Sequence, residues 1–259
     1  MHGSSPKIHR RASGSTAEGR QERSNVDTLT LLSLPEGEGK NEMRSRDDFY
    51  KPGIPARRGE HYGAFVRFAR RHAGTSVLDL GCGFGAYGSA LADEGWKCVG
   101  CDINVEYLQT AAGLGLPVVG ADSALPFLDR SFDSVLIFEV IEHVPNVEKL
   151  LTEAFRVARK NVLVTVPNSE NIDLMKQNDV TYAHMLSSDH LHFFDPVSLE
   201  SLLRRYSNNV SIERSDPILP FWFVGRSLPF YGMKLLFRLG VFKPRFFSRL
   251  YAVASVREN

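Results

Sequence analysis

From Glu139 to His143 the chain reads EVIEH, two carboxylates and an imidazole at i, i+3 and i+4. In a helical turn that spacing puts the three side chains on one face. Such a face can hold a divalent cation such as Mg, since two carboxylates and an imidazole suit a hard or borderline metal. The cation would orient an acceptor hydroxyl and lower its pKa. Further along, SSDHLHFFDP (Ser187 to Pro196) supplies two more imidazoles, His190 and His192. Imidazole titrates close to neutrality, so without a metal His143 or His190 becomes the candidate general base for a hydroxyl proton. The competing reading of an acid followed by histidine is a helix cap or a pocket wall. His184 has no comparable context and is read as a surface or packing residue.

A second chemical stretch, VLDLGCGFGAYG (Val77 to Gly88), stops an apolar run at an acid and then breaks into glycines. Gly83, Gly85 and Gly88 fit G-x-G-x-x-G, and Asp102 closes the next apolar run. Glycines let backbone amides approach a nucleoside closely, and a carboxylate at the end of the second strand can accept both ribose hydroxyls. NAD(P) and S-adenosylmethionine both satisfy this much. Asp79 separates them: its charge would repel a pyrophosphate and attract the amino group of a methionine moiety.

These stretches need a scaffold. Tyr62, Phe65, Val66, Phe68 and Ala69 recur at helical spacing before Gly74, which predicts a lead-in helix. Short apolar strands then alternate with helices: SVLDL, a helix about Ala86 to Glu94, KCVGCDI, a helix about Val105 to Ala112, PVVGAD, FDSVLIFEV and NVLVTVP. That order implies an α/β, doubly wound parallel sheet with helices on both faces. Both candidate acceptor stretches follow carboxyl ends of strands, where such sheets place ligands.

The ordered set LDLGCGFG, strand-end Asp102, Ala121-Asp122-Ser123, SFDSV and FEVIEHV resembles the class I S-adenosylmethionine-dependent methyltransferases over about residues 59 to 216. The resemblance implies a Rossmann-like, mostly parallel sheet of seven strands whose last strand is antiparallel, a place that RLYAVASV (Arg249 to Val256) fits. It also implies that backbone around Gly81, Gly83 and Gly85 wraps the methionine portion, Asp102 binds the ribose diol, Ile103 packs on the adenine, and Asp122 with Ser123 reads its amino edge. E-x-x-E-H is similar to the pattern of ubiquinone-pathway O-methyltransferases and of small-RNA 3′-terminal 2′-O-methyltransferases. There it binds metal, in the RNA enzymes with a later histidine; His190 or His192 stands in that place here.

With 43% hydrophobic and 24% charged residues and a formal charge of +1, the 259-residue chain has the composition of one ordinary globular domain, and its global charge singles out no partner. Three cysteines cannot form an even disulfide set, and Cys98 and Cys101 lack a second pair at zinc-site spacing, so both are read as small strand residues. Residues 1–45 are polar and without sustained periodicity and read as a disordered leader, leaving 46–259 as the methyltransferase domain. An insert at about 217–248 is rich in aromatic residues. It carries Arg226, Lys234, Arg238, Lys243 and Arg245, and no acid occurs from Pro217 to Val256. Its uncharged runs fall well short of the roughly 20 residues that span a bilayer. The insert is therefore expected to lie on an anionic membrane surface, to cover an apolar acceptor, or to pack as a helix pair on the domain or against a second subunit.

The expected protein is a cytoplasmic enzyme, peripheral at the membrane, that methylates a hydroxyl of a small or lipid-linked molecule. An RNA 2′-O-methyltransferase is the alternative, opposed by the lack of an RNA-sized basic footprint outside the tail. A non-catalytic scaffold binding a membrane or partner is the other, opposed by the intact glycine loop.

Overall fold

The computed structural model describes residues 62–122, 124–177, 187–218 and 243–257, with 232, 235, 236 and 239–241. The leader, His184, Ser123 and most of the insert lie outside the described residues. Helix α1 (Tyr62–His72) buries the stripe Phe65, Val66, Phe68 and Ala69. Then come β1 (Ser76–Leu80), α2 (Ala86–Ala92), β2 (Lys97–Asp102), α3 (Val105–Gly113), β3 (Val118–Gly120), β4 (Phe132–Phe138), α4 (Val147–Val157), β5 (Ala158–Pro167), α5 (Ile172–Gln177), α6 (Pro196–Leu203), β6 (Val210–Ile218) and β7 (Phe246–Ser255). Local chemistry starts several helices. The Asn104 side chain accepts from the amides of Glu106 and Tyr107, the Asn146 side chain from that of Lys149, and Asp195 forms a capping box with Ser198 ahead of α6.

The seven strands lie in the order β3-β2-β1-β4-β5-β7-β6. Pairs β1/β2, β2/β3, β1/β4 and β4/β5 are parallel, while β7 runs antiparallel to both its neighbours, β5 and β6. The strand order, not the strand direction, reverses between β1 and β4, the crevice where doubly wound sheets hold ligands. Alternating strand residues supply two cores. Leu78, Val135, Ile137, Val162, Val164 and Leu250 pack with α4 and α6 on one face; Val77, Leu136, Leu163 and Tyr251 pack with α1 and α2 on the other. Cys98 and Cys101 fall in opposite cores, and burial pushes both thiols up to about 12.

Two strands run further than their sequence signals. The run ending in Asp216-Pro217 reads as a turn, yet β6 continues through it to Ile218, because an edge strand tolerates a proline with no amide to donate. Its partner β7 starts at Phe246 rather than Arg249, paired with Ile218. By contrast β3 stops at Gly120, a short and incompletely buried edge. Among the described residues no helix is long and apolar enough to cross a membrane.

Candidate functional site

The loop after β1 turns through glycines at positive φ: Gly81 (75°), Gly83 (51°) and Gly85 (75°). Space as well as dihedral requires two of them. A Cβ on Gly81 would sit 2.5 Å from a methyl of Val140, and one on Gly85 would sit 2.7 Å from the Ala111 Cβ. The loop is tied to β2: the amides of Gly81 and Cys82 both donate to the Cys101 carbonyl, at 2.7 and 3.0 Å. Asp102, nearly buried at the end of β2, accepts from the Gly83 amide at 2.8 Å through one oxygen and from the Asn104 amide at 2.9 Å through the other. The carboxylate thus faces the loop from the strand end.

Asp79 lies deeper, 1% exposed, with Oδ2 accepting from the Gly88 amide at 2.9 Å. Burial pushes its carboxyl up to about 7, assisted by the charge of Asp102 and opposed by the Gly88 amide. Ile103 is 52% exposed and Asp122 is exposed at the neighbouring strand end, leaving both accessible to a ligand in the crevice. An arginine that the sequence reading does not single out holds the turn beyond them. Arg156 donates to the carbonyls of Leu125 and Phe127 and pairs with Glu153 and Asp129, while the Leu125 amide donates to Glu153. The guanidinium holds the Glu153 carboxyl down to about 2.

After β4 the chain enters a 3-10 turn, Ile141–His143, whose preceding Val140 is the residue against Gly81. Glu142 (1% exposed) and His190 (8%) are buried, and His143 and His190 stack edge to face at 4.8 Å. Ligand atoms of Glu142, His143 and His190 all lie within 4.8 Å of one another. The backbone fixes this meeting: the Glu142 carbonyl accepts from the amides of both Leu191 and His192. His192 itself turns away, Nε2 lying 3.0 Å from the Val144 carbonyl. Asp189 belongs to the cluster although only the histidines beside it are singled out in the sequence. Its Oδ2 is 3.3 Å from His143 Nδ1, and its other oxygen takes the Ser187 hydroxyl. Burial would raise the Asp189 carboxyl, but that hydroxyl and the charge of His143 outweigh it and hold it below the usual range.

Glu139 departs from the expected shared face. It precedes the turn with a left-handed φ of 55° and directs Oε2 to Arg249 Nε at 3.0 Å. The E-x-x-E-H spacing presumes a regular helical turn, and the left-handed residue removes Glu139 from it.

Residues 78–166, from β1 to β5, match the model of the methyltransferase domain family. Squalene methyltransferase 1 of Botryococcus braunii is 34% identical over 109 residues, 38% of this chain and 29% of that protein. Ajmaline N-methyltransferase of Rauvolfia serpentina is 30% identical over 148 residues, 49% of this chain and 51% of that protein. The chain thus spans about half or less of the length of these curated relatives. The crystal structure of a SAM-dependent methyltransferase from Archaeoglobus fulgidus shares the fold, with a TM-score of 0.54 at 21% identity over 78% of this chain and 96% of that one. Residues 78–166, which include the glycine loop and the acids at the ends of β1 and β2, are thus similar to the methyltransferase domain family, and the seven-stranded sheet shares the fold of the Archaeoglobus fulgidus methyltransferase.

Proposed function

We propose that the chain transfers the methyl group of S-adenosylmethionine to a hydroxyl of a small or lipid-linked acceptor. The supporting observation is the Glu142, His143 and His190 cluster, carried on a turn whose Val140 rests against Gly81 of the cofactor loop. In this reading the acceptor oxygen attacks the methyl carbon in line, the carbon–sulfur bond breaks, and sulfur leaves as the neutral thioether of S-adenosylhomocysteine. The hydroxyl proton passes to imidazole. The main-chain carbonyl of Asp189, 3.1 Å from His143 Nδ1 with the Asp189 carboxylate alongside at 3.3 Å, accepts from Nδ1–H, which leaves the Nε2 lone pair as the base. Leu191 (54% exposed), Phe193 (57%) and Val197 (76%) flank this cluster in the chain and favour an apolar acceptor.

The same three side chains fit a divalent cation. Glu142, His143 and His190 would hold it, and it would act as a Lewis acid on the acceptor hydroxyl. With Glu139 drawn to Arg249, one carboxylate and two imidazoles suit a borderline metal such as Mn or Zn better than Mg.

On the donor side, Asp102 takes the ribose diol, Ile103 the adenine face, and Asp122 with Ser123 its amino edge, while Asp79 takes the methionine ammonium. Calorimetry with S-adenosylhomocysteine tests this half. Binding is expected, with Asp102→Ala weakening it by about 1 to 3 kcal/mol, the range for lost hydrogen bonds to a charged group. Tight binding of NAD without a response to S-adenosylhomocysteine would overturn the reading.

Asp79 adds a pH signature. Its carboxyl, pushed up to about 7, is largely protonated just below neutrality, whereas the ammonium requires the carboxylate. Ligand binding should therefore release a proton, and affinity should fall by up to about tenfold per pH unit below 7. Titrations in buffers of different ionisation enthalpy read that proton directly, and Asp79→Asn should abolish the dependence. In the ligand-free protein the sign is opposite for stability: a raised folded pKa stabilises at low pH, and that contribution is lost as pH rises through about 7.

A further inference from the structure

Two carboxylates on left-handed backbone converge on one buried guanidinium. Among the described residues only four non-glycines have positive φ, and Glu139 and Asp216, both at 55°, are two of them. Arg249, 4% exposed, meets Glu139 Oε2 through Nε at 3.0 Å and Asp216 Oδ2 through Nη1 at 3.7 Å, with its guanidinium carbon 5.5 Å from the centre of the Phe65 ring. Tyr251 donates to Asp216 Oδ2 at 3.2 Å, and the Ser248 hydroxyl to the Asp216 carbonyl at 3.0 Å. One side chain of β7 therefore ties together α1, the end of β4 and the end of β6.

Left-handed backbone is costly for a residue with a Cβ and persists only where the surroundings impose it. At Glu139 two constraints do so: its amide donates to the Thr165 carbonyl at 2.9 Å, and its carboxylate is held by Arg249. Glu139 is also the hinge into the turn. Val140, the next residue, lies against Gly81, and the Val140 carbonyl accepts from the His143 amide at 3.0 Å. Rotating Glu139 toward an ordinary φ would swing Glu142 and His143 away from His190.

We propose that Arg249 is a positioning residue for methyl transfer: by fixing Glu139 in the left-handed conformation it aims the turn that brings Glu142 and His143 to His190. The proposal rests on the assignment of that cluster to the acceptor side. Arg249 is suited to the task because a planar fork can address two carboxylates from fixed directions, whereas an ammonium is a point charge without that geometry.

The test is nuclear magnetic resonance of the imidazole nitrogens in the full chain, with His72 on α1 as internal reference. Arg249→Lys keeps the charge and removes the fork. It is expected to shift the His143 and His190 signals, leave His72 in place, and change S-adenosylhomocysteine affinity by less than about threefold. Unshifted His143 and His190 signals in folded Arg249→Lys would overturn the proposal and leave Arg249 a purely structural ion-pair partner. If Arg249→Lys does not fold, Glu139→Gln, which keeps the pairing with Asp216, must give the same selective shifts or the proposal fails. A wild-type protein that does not bind S-adenosylhomocysteine would instead overturn the functional reading, and the imidazole signals report on Arg249 in either case.

Discussion

Replacing His143 with Gln is expected to lower turnover by about 100- to 10,000-fold, the usual worth of a positioned acid or base, while S-adenosylhomocysteine affinity stays within a factor of a few. The split follows from placement. His143 faces Asp189, Glu142 and His190, whereas the loop proposed to hold the cofactor lies between β1 and α2. A methyl donor carrying an isotopic label, offered with acceptor-bearing extracts and followed by mass spectrometry, measures the first quantity; calorimetry measures the second. Exhaustive chelation separates the two ways the cluster can work. Turnover that survives chelation and is lost with His143 or His190 assigns the proton to imidazole, and turnover lost to chelation and restored by Mn or Zn assigns the cluster to a cation. Full turnover by His143→Gln would remove the cluster from the reaction altogether.

The second large effect concerns stability. Arg249→Met preserves much of the side-chain volume but leaves Glu139 and Asp216 facing each other at a site where Arg249 is 4% exposed. Removing one partner of a buried ion pair costs about 3–5 kcal/mol, because the charge left behind loses its counter-charge where little water reaches it, and Glu139, 11% exposed, is the more sheltered of the two carboxylates. For a domain of this size that corresponds to a fall in Tm on the order of 10 °C. Since the loss arises from uncompensated carboxylates, it should shrink when acid protonates them, and it should respond little to salt, which screens buried charges poorly. A change of less than about 1 kcal/mol at neutral pH in denaturant unfolding would show that water reaches these groups.

The strand, glycine loop and terminal acids of the proposed donor side were legible in the sequence because each of these parts is local. A strand, its terminal acid and the glycines behind it occupy one short stretch, and positive φ with close approach of Val140 and Ala111 is what makes glycine necessary at Gly81 and Gly85. The candidate acceptor cluster was legible where residue type alone carries chemistry: Glu142, His143 and His190 do come together. It was illegible where a distant partner decides. Glu139 and Arg249 are 110 residues apart in the chain, and no local spacing announces that a guanidinium of the last strand will draw the first acid out of the EVIEH set. Asp189 offered a weak signal, an acid immediately before His190, but nothing in the segment says that it pairs with His143 instead. Arg156 offered none, since its fork reaches a turn that precedes it by a whole strand. The extent of β6 is illegible in the sequence for a related reason. Asp216-Pro217 has the composition of a turn, and only pairing with β7 keeps it extended.

The junction of β6 and β7 has a consequence for how such a protein can change over time. Ile218 and Phe246 pair in register at the end of the sheet where β1, β2 and β4 also finish. Closing a longer or shorter loop between two anchored ends alters the closure entropy only by about 0.6 kcal/mol per doubling of length. Changing the number of residues between Ile218 and Phe246 is therefore expected to cost the fold little, so length variation there is tolerated over time.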